Sequence, residues 1–312
     1  MSKAMFPKNW LLHIKDLDRL ALKLSTPVDY LLKWDSKIPF HYHKKTIITK
    51  GKSRELLIPV PELRNIQRKI LDNILNFDFP SYIHGGISDR SIITNAKTHL
   101  SQKWVMCLDI KDFFPSVHFK RIYNSFISLS CSPDIATLLT HFTTYDYQLP
   151  QGAPTSPAIA NMVLYGLDKR LFNLCKIKRL KYSRYFDDIT ISGSLNPKSL
   201  IKKCELIINQ EGFRINKKLG KLRLMSSNEE QSVTGLLVNG KKLQISSEKI
   251  KEIQNILDKL ISKDFSIFFD KEPIKLKAEM EGHLAFLKSV DPQITKSLKQ
   301  KFDKIDWGSF CI

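Results

Sequence analysis

The chain has 312 residues, 42% of them hydrophobic, enough for a sizeable core in one large unit or in two or three smaller ones. Its 50 lysines and arginines against 31 acids give a net charge of +19, which points to a polyanionic partner, nucleic acid first and an anionic membrane surface second. No apolar run reaches the roughly 18 residues of a membrane span, and the N-terminal stretch MSKAMFPKNWLLHIKDLDRL lacks a clean signal core. The five cysteines (Cys107, Cys131, Cys175, Cys204, Cys311) are far apart with no C-x-x-C, which argues against a zinc site or a disulfide framework and leads us to expect a cytoplasmic protein.

After a short start, the N-terminal third reads as mostly helical. SRELLIPVP (53–61) is a strand running into a proline-bounded turn. Leu63, Ile66, Ile70, Leu71 and Ile74 then recur at helical spacing. WVMCLDI (104–110) is a short apolar run ending on a carboxylate, the pattern of a buried strand. LPQGAPTSPAIANMVLYGLDKRL starts a helix, with Ser156 expected as its N-cap and Pro157 at the first helical position. Residues 180–193 read as a β-hairpin, and KCELIINQEGFRIN as a helix, then Gly212, then a strand. From about residue 245 the pattern is helical again. Ile250, Ile253, Leu257, Leu260 and Ile261 make one apolar stripe and Leu276, Met280, Leu284 and Leu287 another, which we read as core packing. The middle is therefore mixed α and β, and the tail a small helical unit.

Two acidic sites stand out. In RYFDDITIS (184–192), Asp187 and Asp188 lie between aromatic and β-branched runs, so they are expected at the exposed tip of the hairpin. Two carboxylates about 4 Å apart repel by roughly 4 kcal/mol at an effective dielectric near 20. Water or a cation must offset that. The pair lies in the most basic part of the chain, since residues 176–223 hold thirteen lysines and arginines and four acids. The second site is LDIKDFFPS (108–116), with Asp109 at the end of the expected strand and Asp112 three residues on. A lone Asp109 would read as a cap for the next turn. If the two strands are neighbours, however, Asp109, Asp187 and Asp188 meet at one sheet edge. Three carboxylates there suit hard divalent cations such as Mg²⁺. Two such ions roughly 3.5 to 4 Å apart can activate a hydroxyl nucleophile and stabilise a leaving pyrophosphate.

These residues resemble the reverse transcriptases. LDIKDFF is similar to their first catalytic motif, PQGAPTSP (150–157) to the motif that contacts template and nucleotide, and YFDD (185–188) to their Y-x-D-D box, all in the expected order. The resemblance spans roughly residues 50–240. It implies an α+β, right-hand polymerase fold: N-terminal helices and fingers over 1–103, a palm over 104–240 with part of the fingers interleaved at 120–150, and a helical thumb over 241–312. It implies Asp109, Asp187 and Asp188 as a triad for two Mg²⁺ ions, with a backbone carbonyl from Ile110. Phe114 falls where a bulky residue excludes a 2′-OH; read without the family it is an ordinary core ring. Gln151 and Gly152 would shape the pocket beside the incoming base. Arg54 matches a fingers arginine that grips the triphosphate bidentately, and is otherwise a surface side chain. The family's lysine three residues beyond Asn216 is here Leu219, with Lys217, Lys218 and Lys221 around it, and Lys218 is the expected substitute. Phe186 stands where bacterial members commonly have Ala.

Two further motifs resemble those of retron reverse transcriptases: NAKTH (95–99), with Asn95 and His99, and VTGLLVN (233–239), with Val233, Thr234 and Gly235. Without the family these are a polar loop and an edge strand with a bulge glycine. The retron resemblance implies that they contact RNA. It also implies synthesis of branched, RNA-linked DNA (msDNA) from a structured non-coding RNA, primed at an internal guanosine 2′-OH and using deoxynucleoside triphosphates. It further implies a role in antiphage defence with a separate effector protein, and no maturase, nuclease or RNase H domain after the thumb. The alternatives are another bacterial reverse transcriptase, of abortive-infection or intron-derived type, and a silent RNA-binding module on the same fold.

Overall fold

The computed structural model describes residues 6–35, 41–49, 52–264, 266 and 272–310, without the side chains of Ile48, Thr49, Lys52 and Arg54. The chain opens with helices α1 (Leu17–Leu24) and α2 (Val28–Asp35). Asp16 caps α1 by accepting from Arg19 N at 2.7 Å. Strands β1 (Tyr42–Thr49) and β2 (Lys52–Pro59) form an antiparallel ribbon. Helix α3 (Pro61–Asn73) begins with a proline whose missing N–H costs nothing there, and buries Leu63, Ile66 and Ile70 as their spacing predicts. A capping box built by Ser91 and Thr94 starts α4 (Ile92–Lys97).

Strand β3 (Trp104–Asp109) is the predicted buried run. Helices α5 (Phe113–Ser116), α6 (Phe119–Ser128) and α7 (Pro133–Thr143) lead to the 22-residue α8 (Ser156–Ile177). Its N-cap is Thr155, one residue before the predicted Ser156. Ser156 instead donates its hydroxyl to Pro150 O at 2.6 Å, closing the preceding loop. The hairpin is β4 (Lys181–Tyr185) and β5 (Asp188–Gly193). Helix α9 (Ile201–Gln210) follows, and the strand expected after Gly212 reduces to one bridge, Ile110 to Ile215. Then come β6 (Arg223–Ser226), the short pair β7 (Ser232–Val233) and β8 (Leu236–Leu237), and the tail helices α10 (Ser247–Ile261), α11 (Pro273–Val290) and α12 (Pro292–Phe302).

The central sheet is antiparallel with strand order β4-β5-β3-β6. Because successive side chains alternate across a sheet, its two faces part cleanly. Met106, Leu108, Ile189 and Ile191 pack in the main core with Leu164 and Leu171 of α8 and Ile208 of α9. Val105, Cys107 and Met225 look the other way. They join Val233, Leu236 and the apolar stripes of the tail, Ile253, Leu257, Leu276, Met280, Leu284 and Leu287, in a second core. Asp109 and Asp188 belong to this second face. The cysteines at 107, 131, 175 and 204 are free and buried, and Cys311 lies outside the described residues. No helix among the described residues is long and apolar enough to cross a membrane.

Candidate active site

Tyr185 pairs with Asp188, so the two-residue turn of the hairpin is Phe186–Asp187. This corrects the expectation that both aspartates form an exposed tip. Only Asp187 is in the turn, and Asp188 is the first residue of β5. The shift matters because one residue of slip moves a side chain to the opposite face of a sheet. Phe186 has φ 52°, a left-handed conformation that glycine usually supplies at this turn position and that costs another residue about 1–2 kcal/mol. Its ring packs on Gly85 and Gly86. A Cβ on Gly85 would lie 2.5 Å from Phe186 N, and one on Gly86 2.5 Å from Pro157 Cβ and 3.0 Å from Phe186 Cε1, so this close approach requires glycine.

Asp109 and Asp188 are directly opposed across β3 and β5. Ile110 N donates to Asp187 O at 3.0 Å, which makes 109–188 a non-hydrogen-bonded pair, the type with Cα atoms only about 4.5 Å apart and side chains closest. Like charges so placed repel. Asp109 is buried, and its carboxylate is held from two sides: Oδ1 accepts from Asn216 Nδ2 at 2.7 Å and Oδ2 from Lys221 Nζ at 2.5 Å. Asn216 N also donates to Asp109 O at 2.7 Å, so this loop is stitched to the strand end through main chain and side chain. The outer edge of Asp188 reaches solvent. Its carboxyl is nonetheless pushed up to about 6, first by loss of water to the protein packed around it, then by the charges of Asp187 and Asp109, with Lys221 and Arg223 acting against the shift. The ammonium of Lys221 is stabilised in turn, chiefly by its hydrogen bond to Asp109.

A cleft of about 760 Å³ opens here, with Asp109, Ile110, Phe114, Gln151, Asp187 and Lys221 among its walls. Asp188 faces a smaller neighbouring recess of about 300 Å³ shared with Arg223, Thr234 and Gly235. Phe114 is half-buried, with its ring centroid 6.3 Å from that of Phe186. Gln151 O accepts from Leu57 N at 2.8 Å, tying the loop before α8 to β2. Gly152 has φ 128°, and a Cβ there would lie 2.8 Å from Leu57 O. Arg54 sits on β2 opposite Ile47, and its side chain lies outside the described residues; Ser53 and Glu55 beside it line the cleft. Lys218 is exposed and faces a different hollow, one lined by Lys111, Glu205 and Arg214. Lys221, across the left-handed turn at Gly220, is the lysine that reaches the carboxylates. Asp112 and Asp146 also line the cleft, and sequence reasoning assigned neither a role.

The donor set is of hard oxygen atoms, suited to a divalent ion such as Mg²⁺. The charges of Asp187 and Asp109, which add to burial in raising Asp188, and the ammonium held on Asp109 mark a place for positive charge. As folded here the carboxylates do not close around one point: among the described residues, no three acidic, histidine or cysteine side chains form a metal cage.

The two motifs expected at the RNA surface lie largely inside. Asn95, His99 and Val233 are fully buried, Thr234 is partly so, and Gly235 is exposed with φ 86°. Burial rules out direct contact of the first three side chains with a macromolecule in this conformation. Val233 packs in the second core, and Asn95 and His99 build a polar network on the front of the hairpin instead. Ser183 on β4 donates to Asn95 Oδ1 at 2.6 Å, and His99 bridges the two strands, with Nε2 2.7 Å from Ser183 Oγ and Nδ1 2.7 Å from Ser192 Oγ. The one hydroxyl proton of Ser183 is spent on Asn95, so His99 carries its proton on Nε2 and accepts from Ser192 at Nδ1. Burial, aided by Lys181 and His84, lowers its pKa to about 3 and keeps the ring neutral. Asn95 Nδ2 reaches Thr234 Oγ1 at 3.4 Å, and that hydroxyl donates to Ile92 O at 3.1 Å. The N-A-x-x-H helix, the V-T-G loop and the hairpin are thus one connected body.

Comparison with known proteins agrees with this architecture. The family model described as reverse transcriptase (RNA-dependent DNA polymerase) matches residues 42–254. The chain is 32% identical over 277 residues to the retron Ec86 reverse transcriptase of Escherichia coli, covering 86% of this chain and 82% of that protein. It is 31% identical to the Escherichia coli retron Ec73 reverse transcriptase over 83% of this chain and 86% of that one. It is also 33% identical to the Salmonella heidelberg retron Se72 reverse transcriptase over 72% of this chain and 62% of that one. The mixed helices and antiparallel sheet are those of the right-hand polymerase fold, and the chain belongs to the retron-type reverse transcriptases, which are RNA-directed DNA polymerases.

Proposed function

We propose that the chain copies a structured non-coding RNA into DNA at the edge formed by Asp109, Asp187 and Asp188. The observation that carries the reading is the register of β3 and β5, which opposes Asp109 to Asp188 with Asp187 on the adjoining turn, at the mouth of a cleft large enough for a nucleotide. The three carboxylates and the Ile110 carbonyl would hold Mg²⁺. When bound, the ions supply Lewis-acid activation of the attacking hydroxyl and charge neutralisation at the phosphates.

The chain's own groups do the rest. Asn216 and Lys221 each hold one oxygen of Asp109, fixing its orientation, and the Lys221 ammonium offsets its charge. Phe114 is the wall that would meet a 2′-OH. Gln151 and Gly152 set the pocket edge through their tie to β2. Arg54 would grip the triphosphate, and Lys218 would meet nucleic acid outside the cleft. Residues 1–103 would serve with 120–150 as fingers, 104–240 as palm and 241–312 as thumb. The relatives named as retron reverse transcriptases support the retron reading, and we extend it to a product in which DNA grows from an internal guanosine 2′-OH as branched msDNA. We extend it also to a role in antiphage defence with a separate effector. In this reading Gly235 and the rim of Thr234 are the parts of the V-T-G loop that can touch RNA, while Asn95, His99 and Val233 act from beneath.

The test uses the protein expressed with its native flanking DNA. Bound nucleic acid is extracted, one half treated with RNase and the other with a debranching enzyme, and both are run on denaturing gels. A short RNase-resistant DNA whose mobility shifts on debranching is expected, and it should vanish in Asp187→Asn and Asp188→Asn while RNA still co-purifies. DNA extension of an ordinary primer without any branched product would leave the polymerase and remove the retron priming. RNA binding with no DNA from the parent protein would make the chain a binding module.

A further inference from the structure

The back of the hairpin carries a charge pair that the reading above does not use. Arg184 is completely buried, the largest side chain to be so among the described residues, and so is Asp168 on α8. They meet in a two-pronged ion pair: Arg184 Nε donates to Asp168 Oδ1 at 2.7 Å and Nη2 to Oδ2 at 2.7 Å. Tyr182, two residues before Arg184 on β4 and therefore on the same face, donates its hydroxyl to Asp168 Oδ1 at 2.6 Å. A buried pair of this kind earns little net stability over well-packed apolar residues. Its retention calls for another reason, and the remaining donors of the guanidinium supply one.

Arg184 Nη1 donates to the main-chain carbonyl of Phe186 at 2.9 Å, and Nη2 donates a second bond to Asn161 Oδ1 at 3.0 Å. Asn161 stands seven residues before Asp168, two turns along the same face of α8. Its amide donates to Gly85 O at 2.8 Å. Gly85 is the residue whose backbone presses against Phe186. The segment carrying it is fastened to Arg184 by main-chain bonds as well, Arg184 N to Tyr82 O at 2.9 Å and His84 N to Arg184 O at 2.8 Å. The guanidinium therefore touches the turn directly through the Phe186 carbonyl and indirectly through Asn161 and Gly85. Phe186 holds a left-handed conformation that an aromatic residue rarely adopts, and such conformations persist only where the surroundings over-determine them.

We propose that Arg184, Asp168 and Asn161 form a buried brace that holds the Phe186–Asp187 turn in its strained conformation and so positions Asp187 and Asp188 for DNA synthesis. They are positioning residues. None lines the cleft. Asp168 supplies the charge that lets a guanidinium exist in the core, Arg184 grips the turn carbonyl, and Asn161 clamps the glycine pair on which the Phe186 ring rests. The proposal rests on the carboxylates of the turn being the reactive edge, and its test separates the two ideas.

Primer extension by the full-length protein is measured with saturating Mg²⁺ for Arg184→Lys, Asn161→Ala and Tyr182→Phe beside Asp187→Asn. Far- and near-ultraviolet circular dichroism at the assay temperature reports which variants are folded. A lysine keeps the charge opposite Asp168 but cannot reach Asp168, Asn161 and the Phe186 carbonyl together. The brace predicts a fall in kcat of about 30-fold or more for Arg184→Lys and about 10-fold for Asn161→Ala. Tyr182→Phe, which leaves the turn contacts intact, should change kcat less than about 3-fold. KM for the nucleotide and Kd for primer–template should stay within about 3-fold of the parent. Folded Arg184→Lys and Asn161→Ala variants with kcat near that of the parent would overturn the brace, as would losses that follow the order of the melting temperatures. If Arg184→Lys does not fold, Asn161→Ala decides by the same criterion. Should Asp187→Asn retain activity, the reactive edge itself is wrong, whereas an inactive Asp187→Asn beside fully active brace variants removes the brace alone.

Discussion

Asp109 and Asp188 face each other as a non-hydrogen-bonded pair across β3 and β5, the closest approach an antiparallel sheet allows, and one ammonium group, that of Lys221, sits on the first of them. The backbone register sets two carboxylates opposite each other, and the repulsion is offset in part by a cation on a neighbouring loop. The arrangement makes the identity of that cation functionally important.

Lys221→Met is therefore expected to cut primer extension by about 10-fold or more, through loss of a positive charge at Asp109 Oδ2. Lys218→Met should stay within about 3-fold of the parent, because Lys218 faces another hollow. Steady-state rates for the two variants at one Mg²⁺ concentration check this. The opposite ranking would return the role to Lys218.

Phe114 lines the cleft, half-buried, beside Phe186. Phe114→Ala opens space where a ribose 2′-OH would fall, so incorporation of ribonucleotides relative to deoxynucleotides should rise by at least about 10-fold. Single-nucleotide incorporation assays with paired substrates read the ratio. An unchanged ratio would mean that the ring packs the cleft without selecting the sugar.

Gly152 combines φ 128° with a Cβ position 2.8 Å from Leu57 O. Gly152→Ala must distort either the loop or β2, at a cost of about 1–3 kcal/mol. The bond from Leu57 N to Gln151 O should weaken with it. We expect a lower melting temperature and a higher KM for the incoming nucleotide, with affinity for RNA little changed. Wild-type KM in the alanine variant would show that this loop edge does not shape the nucleotide pocket.

His99 links folding to pH. Its folded pKa of about 3 lies below the ordinary histidine value of 6.5, so the unfolded chain binds the extra proton between these limits. This contribution to stability is complete above about pH 6.5 and declines as pH falls, by about 2 kcal/mol at pH 5. His84, lowered to about 4 by burial and by Arg90, acts with the same sign. Urea unfolding at pH 7.5 and pH 5 should show the loss. His99→Gln should be less stable at pH 7.5 and show a shallower decline. Parallel pH profiles for the two proteins would remove His99 as the source.

Much of this molecule is decided by short-range chemistry that the sequence exposes. The apolar stripes at 250–261 and 276–287, the run ending on Asp109, the paired acids inside a basic field and the ordered motifs all follow from local spacing, and they led to the polymerase fold and the retron family. What escaped depends on neighbours distant in the chain. The turn frame is set by pairing of Tyr185 with Asp188, which the dipeptide alone could not reveal. Lys221 in place of Lys218 is decided by the path of the loop around Gly220. Asn95 and His99 read as exposed polar residues, and tertiary packing buries them because Ser183, Ser192 and Thr234, brought together by the fold, partner their polar atoms. Nothing in the local sequence marks Arg184 and Asp168 as partners. Only the stacking of α8 under β4 brings them into contact, because a buried charge tolerates burial solely where the fold delivers its partner.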